Sequence, residues 1–132
     1  MLSLATILRF FMRILFEKVP VTQANCFIVR EFRLPIFDTP LHVHPEFELT
    51  YIIRGKGKRV VGDSVVHYSA GDLVLIGSNV PHCWYSDPIA TEQEALSHSI
   101  VVQFALFFWE QHSSSCPKWR MSAACSIRPV RD

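Results

Sequence analysis

The sequence predicts a single all-β domain, a small sandwich or barrel of short strands. Between residues 26 and 105, short runs of β-branched and aromatic residues alternate with turns at nearly regular spacing. This pattern is typical of β-sandwiches and β-barrels. The chain has 132 residues, which fits one domain. Its composition, 49% hydrophobic and 19% charged, is that of a globular protein with a substantial core.

Seven segments have the residue types of β-strands. They are residues 26–33, 47–54, 58–61, 64–68, 73–76, 80–84 and 99–105. All five glycines of the chain lie at predicted strand ends, where they allow tight turns. Pro35 and Pro40 predict an extended loop between the first two strands. Residues 105–111 are expected to begin a short helix after the last strand.

The two ends of the chain depart from the strand pattern. Residues 1–15 form an apolar extension that two arginines interrupt; it is too short to span a bilayer and lacks signal-peptide features. Met12 is an alternative translation start, which leaves open whether residues 1–11 are translated. Residues 112–132 show neither helical nor strand periodicity and are predicted to be an irregular tail. The barrel domain is therefore expected to span residues 16–111.

Three histidines and one glutamate form the most specific chemical pattern in the sequence. His42, His44 and Glu48 read His-x-His-x-x-x-Glu, and His82 follows several predicted strands later. Imidazole and carboxylate are the usual ligands of transition metals. Even spacing puts strand residues on one face, and an unpaired carboxylate in an apolar strand is costly. The pattern predicts a shared, inward-facing polar site, against the alternative of four unrelated side chains.

Trp84 has the same strand parity as His82 and is expected to line the same pocket. The alternative is an ordinary core aromatic. No serine lies in a nucleophile elbow, and we assign no catalytic residue. The net charge of +1 shows no strong excess of positive charge of the kind that attracts nucleic acid. The four cysteines contain no C-x-x-C pair, which favours free thiols and a cytoplasmic location.

The segment HVHPEFELTYIIRGKGKRVVGDSVVHYSAGDLVLIGSNVPHCW resembles the cupin domain of AraC-type transcription regulators. The similarity runs from about Phe16 to Trp109. The residues that match the two cupin motifs are His42, His44, Glu48 and Gly55 in the first, and Gly71 and His82 in the second. Pro81, directly before His82, is typical of the AraC-type regulators rather than of the cupin enzymes. The sequence departs from the motifs at Ile36, where a glycine is usual, at Gly77, where proline is usual, and at Asn79, where glycine is usual.

The resemblance implies a double-stranded β-helix, the cupin or jelly-roll barrel, with a short C-terminal helix. In cupin enzymes the four matching ligand positions bind a metal. For this chain the resemblance implies one divalent ion of zinc, iron, manganese or nickel. In AraC-type sensors the barrel binds a small polar effector, such as a sugar, and requires no metal. Such sensors form homodimers, and a separate pair of helix-turn-helix units binds DNA. This chain is too short to include those units. We therefore expect a truncated or frame-shifted product, without specific DNA binding of its own and without a membrane partner.

The leading hypothesis is therefore that the chain is the effector-sensing and dimerisation domain of an AraC-like regulator. On this hypothesis the chain is not an enzyme. The first alternative is a small metal-dependent cupin enzyme of the dioxygenase or isomerase type. A metal held by three histidines and a carboxylate leaves coordination positions open for a substrate. The second alternative is a non-functional remnant. The sequence identifies neither the effector, nor the metal, nor the regulated genes.

Overall fold

Two β-sheets form the architecture of the molecule. The computed structural model describes residues 14–21, 27–89, 91–92, 96–105 and 124–127. These residues form two five-stranded sheets that pack against a shared hydrophobic core. This arrangement confirms the predicted all-β class and the jelly-roll barrel. Among the described residues, no helix is long and apolar enough to cross a membrane.

The described residues form ten strands, numbered in chain order. They are β1 (Leu15–Phe16), β2 (Phe27–Leu34), β3 (His42–Val43), β4 (Phe47–Arg54), β5 (Gly57–Val61), β6 (Ser64–Tyr68), β7 (Leu73–Ile76), β8 (His82–Ser86), β9 (Ser97–Phe104) and β10 (Ala124–Ile127). The seven predicted strands are all present, with ends shifted by up to two residues.

The strands alternate between the two sheets along much of the chain. One sheet has the order β1-β3-β8-β5-β6 and the other the order β10-β7-β4-β9-β2. Neighbouring strands are antiparallel, except for β1 and β3, which run parallel. Tight turns join β5 to β6 and β6 to β7, where Gly62 and Gly71 adopt positive φ angles of 59° and 93°. A glycine adopts this left-handed conformation without the steric cost that a Cβ atom brings.

The side chains of the central strands alternate between core and exterior, as a strand period of two requires. In β4, Glu48, Thr50 and Ile52 point into the barrel. In β9, the inward positions include Ser99 and Gln103. The barrel interior is thus polar as well as apolar. The core residues that pack together are Phe37, Ile52, Val61, Tyr68, Val74, Ile76 and Trp84.

Three short strands are absent from the prediction, and each depends on its partner. β1 and β3 have two residues each, too few to show a period, and they pair with one another. β1 begins at Leu15, so this residue of the predicted 1–15 extension is part of a sheet. β10 pairs with the edge strand β7, so the predicted irregular tail over residues 112–132 is wrong for Ala124–Ile127. The reason is that a sheet edge offers backbone groups to any extended segment, whatever its own pattern.

The predicted helix of residues 105–111 lies outside the described residues, except for Ala105, which is neither helix nor strand. The boundary at residue 111 likewise stays a prediction. The cytoplasmic location also stays a prediction.

Candidate metal centre and ligand cavity

The four residues singled out by the sequence come together at one end of the barrel. His42 lies on β3, His44 directly follows it, Glu48 is the second residue of β4, and His82 begins β8. His42 and His82 are direct partners in the register of β3 and β8. One ligand atom from each of the four residues lies within 4.8 Å of the others. We call these four residues the His–Glu cluster.

Backbone carbonyls orient all three imidazoles in the same way. The Nδ1 atom of His42 lies 2.9 Å from the Pro40 oxygen. The corresponding distances are 3.1 Å from His44 to the Glu46 oxygen and 2.8 Å from His82 to the Val80 oxygen. Since a carbonyl oxygen only accepts, each Nδ1 must donate, and the lone pair of a neutral ring is then on Nε2. This tautomer is the one that metal-binding histidines commonly use, with the second ring nitrogen held by an outer partner.

Glu48 is the centre of the cluster and is almost fully buried. Its Oε2 atom lies 3.2 Å from His44 Nε2 and 3.4 Å from His82 Nε2. Gln103 donates to the same oxygen at 3.0 Å, and the Thr50 hydroxyl donates to Oε1 at 2.8 Å. These two hydrogen bonds fix the plane of the carboxylate, so its orientation does not depend on a metal.

The charges of the cluster favour an ionised Glu48. Burial alone raises the pKa of Glu48, but the His44 hydrogen bond, the nearby His82 ring and the Thr50 hydrogen bond together outweigh it and hold this pKa far below its ordinary range. Burial and the neighbouring His82 ring lower the pKa of His42. Burial also lowers the pKa of His44, but its hydrogen bond and charge interaction with Glu48 are together stronger and raise this pKa above its usual value. The site thus buries a negative charge that attracts a cation.

The donor set fits a divalent transition metal. Metal bonds from nitrogen and oxygen are roughly 2 Å long, so donor atoms on opposite sides of a metal are about 4 Å apart. The four ligand atoms lie within 4.8 Å of one another, which is close to the diameter of a coordination sphere. The Nε2 atom of His82 is buried and has no hydrogen-bond partner. Buried polar atoms rarely stay unsatisfied, and a metal bond at Nε2 would satisfy this one.

A cavity of about 380 Å³ runs from the His–Glu cluster into the barrel. His42, Glu48 and Trp84 line it, and Trp84 is at the same time part of the hydrophobic core. His44 and His82 are 2% and 1% exposed and are not among its lining residues. The cavity volume lies at the lower end of the range for small-molecule sites.

Residues 35–88 match the family model of the cupin domain. The chain contains a cupin domain. No curated protein sequence matches the chain.

Two solved structures illustrate how the cupin domain compares with larger proteins. ToxT from Vibrio cholerae strain SCE256, crystallised with an unsaturated fatty acid bound, has a TM-score of 0.56 and 14% identity. The match covers 77% of this chain and 40% of ToxT. A variant of oxalate decarboxylase from Bacillus subtilis has a TM-score of 0.50 and 23% identity, over 64% of this chain and 22% of the enzyme. The chain thus spans less than half the length of either protein, and the likeness establishes the fold alone.

Asn79 explains how the cupin domain tolerates one departure from its second motif. This residue, at a position where the motif usually has glycine, has a φ angle of 57°. Asparagine is among the few residues other than glycine that readily adopt this left-handed conformation. The Asn79 backbone N–H donates to the His44 carbonyl at 2.9 Å. The turn before β8 therefore keeps its shape and stays attached to the segment that carries His44.

Sequence reasoning missed four polar residues around the cavity of the cupin domain. Thr50 and Gln103 contact Glu48, while Glu17 and Arg30 also line the cavity. Two signals could have found the first pair. Thr50 shares the parity of Glu48, and Gln103 is a polar residue in an otherwise apolar stretch of β9. Glu17 precedes the strong strand pattern, and only the pairing of β1 with β3 brings it to the site.

Proposed function

We propose that this cupin domain is the effector-sensing and dimerisation domain of an AraC-like transcriptional regulator. The single observation that carries the proposal is the cavity of about 380 Å³ that joins the His–Glu cluster to the barrel interior. A concave, largely apolar cavity with a few convergent polar groups is the usual form of a small-molecule site.

Two further observations support a sensor. The motif residues around Pro81 resemble the regulator branch of the cupins more than the enzymes. The fold is similar to ToxT, an AraC-family regulator crystallised with an unsaturated fatty acid bound. By analogy, the barrel of this chain binds a small effector, and a homodimer of the chain is the signalling form.

A cavity-filling variant tests this proposal. Ser99 lines the cavity and is 4% exposed, so a Ser99→Phe side chain would occupy the ligand space. The wild type and this variant are screened against a panel of small organic molecules by thermal unfolding. We expect at least one compound to stabilise the wild type and not the variant, since a ligand of the folded state alone raises its stability. Ser64→Phe, on the exposed edge strand β6, is the matched control.

The screen also has a clear negative result. A compound that stabilises the wild type and Ser99→Phe equally does not bind in the cavity. If no compound stabilises the wild type, the sensor proposal fails. Sedimentation with and without an active compound then tests whether the effector changes the proposed dimer.

We also propose that the His–Glu cluster binds one divalent metal through the three Nε2 atoms and the Glu48 carboxylate. A bound metal of this kind supplies a Lewis-acid centre with open coordination positions for a ligand. Gln103 and Thr50 orient the carboxylate by their hydrogen bonds, and the backbone carbonyls orient the rings. In a sensor, such a site would anchor the polar end of an effector.

The second candidate function is a small metal-dependent enzyme, which the converging donor atoms favour. The cavity reaches His42 and Glu48, so a substrate could approach the metal. The experiment is oxygen uptake or substrate turnover with added metal, in the wild type and in His42→Ala. Metal-dependent turnover that the variant lacks would establish the enzyme. Effector binding to a metal-loaded protein without turnover would favour the sensor.

A further inference from the structure

The cavity of the cupin domain has apolar walls and one cationic side chain among its described lining residues. Leu15, Phe32 and Leu34 line the cavity and are nevertheless 48%, 36% and 40% exposed. Large apolar side chains that remain exposed together around an opening commonly mark a surface that a ligand covers. The cation is Arg30, which lies on β2 at the same strand parity as Phe32 and Leu34.

Arg30 is held in place by a short chain of contacts that leads to the His–Glu cluster. Its Nη1 atom donates to Glu17 Oε1 at 2.8 Å. The other oxygen of Glu17 lies 3.7 Å from His42 Nε2. A guanidinium has five N–H donors, so the remaining donors of Arg30 stay available to a ligand while the Glu17 contact positions the group.

Two of the three hydroxyl groups that line the cavity are already engaged and offer little to a sugar. A polyol needs a hydrogen-bond partner for each buried hydroxyl group. The Thr50 hydroxyl already donates to Glu48, and the Thr39 hydroxyl already bonds the Trp84 backbone. The remaining polar side chains of the lining, which include Ser99 and Gln103, lie among aromatic and aliphatic walls formed by residues such as Phe37 and Trp84.

We infer that the cavity binds a monocarboxylic acid with a compact apolar body, and that Arg30 binds its carboxylate. The apolar body would cover the exposed side chains at the opening. Bidentate hydrogen bonds from a guanidinium match the geometry of a carboxylate, which distinguishes Arg30 from a simple point charge. This inference rests on the proposed effector-binding function and names the chemical class of the effector.

The test compares three probes in isothermal titration of the full chain. Octanoate has the proposed carboxylate and an apolar alkyl chain. 1-Octanol has a similar alkyl chain with an uncharged hydroxyl group, and L-arabinose is a neutral polyol. The titrations are made with zinc added and with chelator, because a metal in the His–Glu cluster changes the charge beside Glu17. We expect octanoate to bind at least about tenfold more tightly than octanol in one of these states, since a charge-assisted hydrogen bond contributes about that factor or more.

Two arginines of β2 provide matched variants. Arg30→Gln is expected to weaken octanoate binding about tenfold and to leave octanol binding unchanged. Arg30→Lys keeps the charge without the planar fork and is expected to have an intermediate effect. Arg33→Gln is the control, because Arg33 lies on the same strand, also pairs with a glutamate and does not line the cavity. Arg33→Gln should bind octanoate like the wild type.

The outcomes separate this inference from the proposed function. Equal binding of octanoate and octanol in both metal states, or stronger binding of arabinose, overturns the carboxylate inference. An unchanged octanoate affinity in folded Arg30→Gln also overturns it, and Arg30→Lys provides the same comparison if the glutamine variant does not fold. If octanoate fails but another compound of the panel stabilises the wild type and not Ser99→Phe, the sensor function stands and only its ligand class is wrong. If no compound binds, both proposals fail.

Discussion

The barrel holds two polar clusters at opposite ends, and they differ in kind. The His–Glu cluster lies where β8 begins with His82, and a hydroxyl cluster of Tyr68, Ser86 and Ser97 lies where the same strand ends. In the hydroxyl cluster, Ser86 Oγ is 3.3 Å from Tyr68 Oη and 3.1 Å from Ser97 Oγ. The same oxygen accepts the backbone N–H of Phe37 at 2.8 Å.

The difference between the clusters separates a structural role from a binding role. The hydroxyl groups are neutral and satisfy one another, so they connect β6, β8 and β9 without needing an additional partner. The His–Glu cluster buries an ionised carboxylate and leaves His82 Nε2 without a hydrogen bond. Buried groups that are charged and incompletely paired are more typical of functional sites than of packing.

The largest expected effect is on metal binding. Glu48→Gln removes the buried charge and a proposed ligand, so we expect it to lower metal affinity by more than about 100-fold, the upper effect of losing an outer-shell partner. Ser97→Ala, in the hydroxyl cluster, should bind metal like the wild type. Elemental mass spectrometry of the purified proteins measures the bound metal. Equal metal content in all three proteins, or none in a folded wild type, would contradict the assignment.

Gly57→Ala should disrupt the hydroxyl end of the barrel. A Cβ atom at Gly57 would overlap the Tyr85 carbonyl and come within 2.8 Å of the Ser86 Cα, so β5 and β8 would have to separate. We expect the free energy of unfolding to fall by about 2–3 kcal/mol, as for other overpacked sites. Lys56→Ala, at the exposed neighbouring position, should change it by less than about 0.5 kcal/mol. Urea denaturation measures both, and similar values for the two variants would show that this close approach is unimportant.

Asn79 tests how the turn before β8 supports the His–Glu cluster. Asn79→Ala should lower the free energy of unfolding by about 1 kcal/mol, because alanine tolerates the left-handed conformation less well. Asn79→Gly, which restores the residue usual in the cupin motif, should preserve both stability and metal affinity. Thermal unfolding with and without zinc provides the measurement. A glycine variant less stable than the alanine variant would mean that the asparagine side chain, and not its backbone conformation, is what matters.

The smallest expected effect concerns alkaline pH at the hydroxyl cluster. Burial raises the pKa of Tyr68 above its usual value of 10.0, despite the hydrogen bond with Ser86. The folded state then keeps its phenol proton longer than the unfolded state does. The contribution to stability is complete below pH 10.0 and is lost as the pH rises through the folded pKa. Denaturation at increasing pH should show a smaller alkaline loss of stability in Tyr68→Phe, and an identical loss in both proteins would contradict this origin.

Much of the fold could be predicted from local pattern. The strands β4, β6 and β7 have their predicted bounds, because hydrophobic alternation and the following turns specify them locally. β1 and β10 could not be predicted in this way, since two and four residues become strands only through an available sheet edge. The same limit applies to Glu17, which reaches the cavity because β1 pairs with β3.

The all-β class, the turns and the four residues of the His–Glu cluster could be predicted from residue type and even spacing, because these are local properties. The carbonyls that make the three imidazoles present Nε2 lie only two residues away in the sequence, but the tertiary fold alone brought the three rings together around Glu48. It also decided that Gln103 supports Glu48 from 55 residues away, and that Arg30 shares a cavity with them. Such contacts depend on the register between strands, which no single segment encodes.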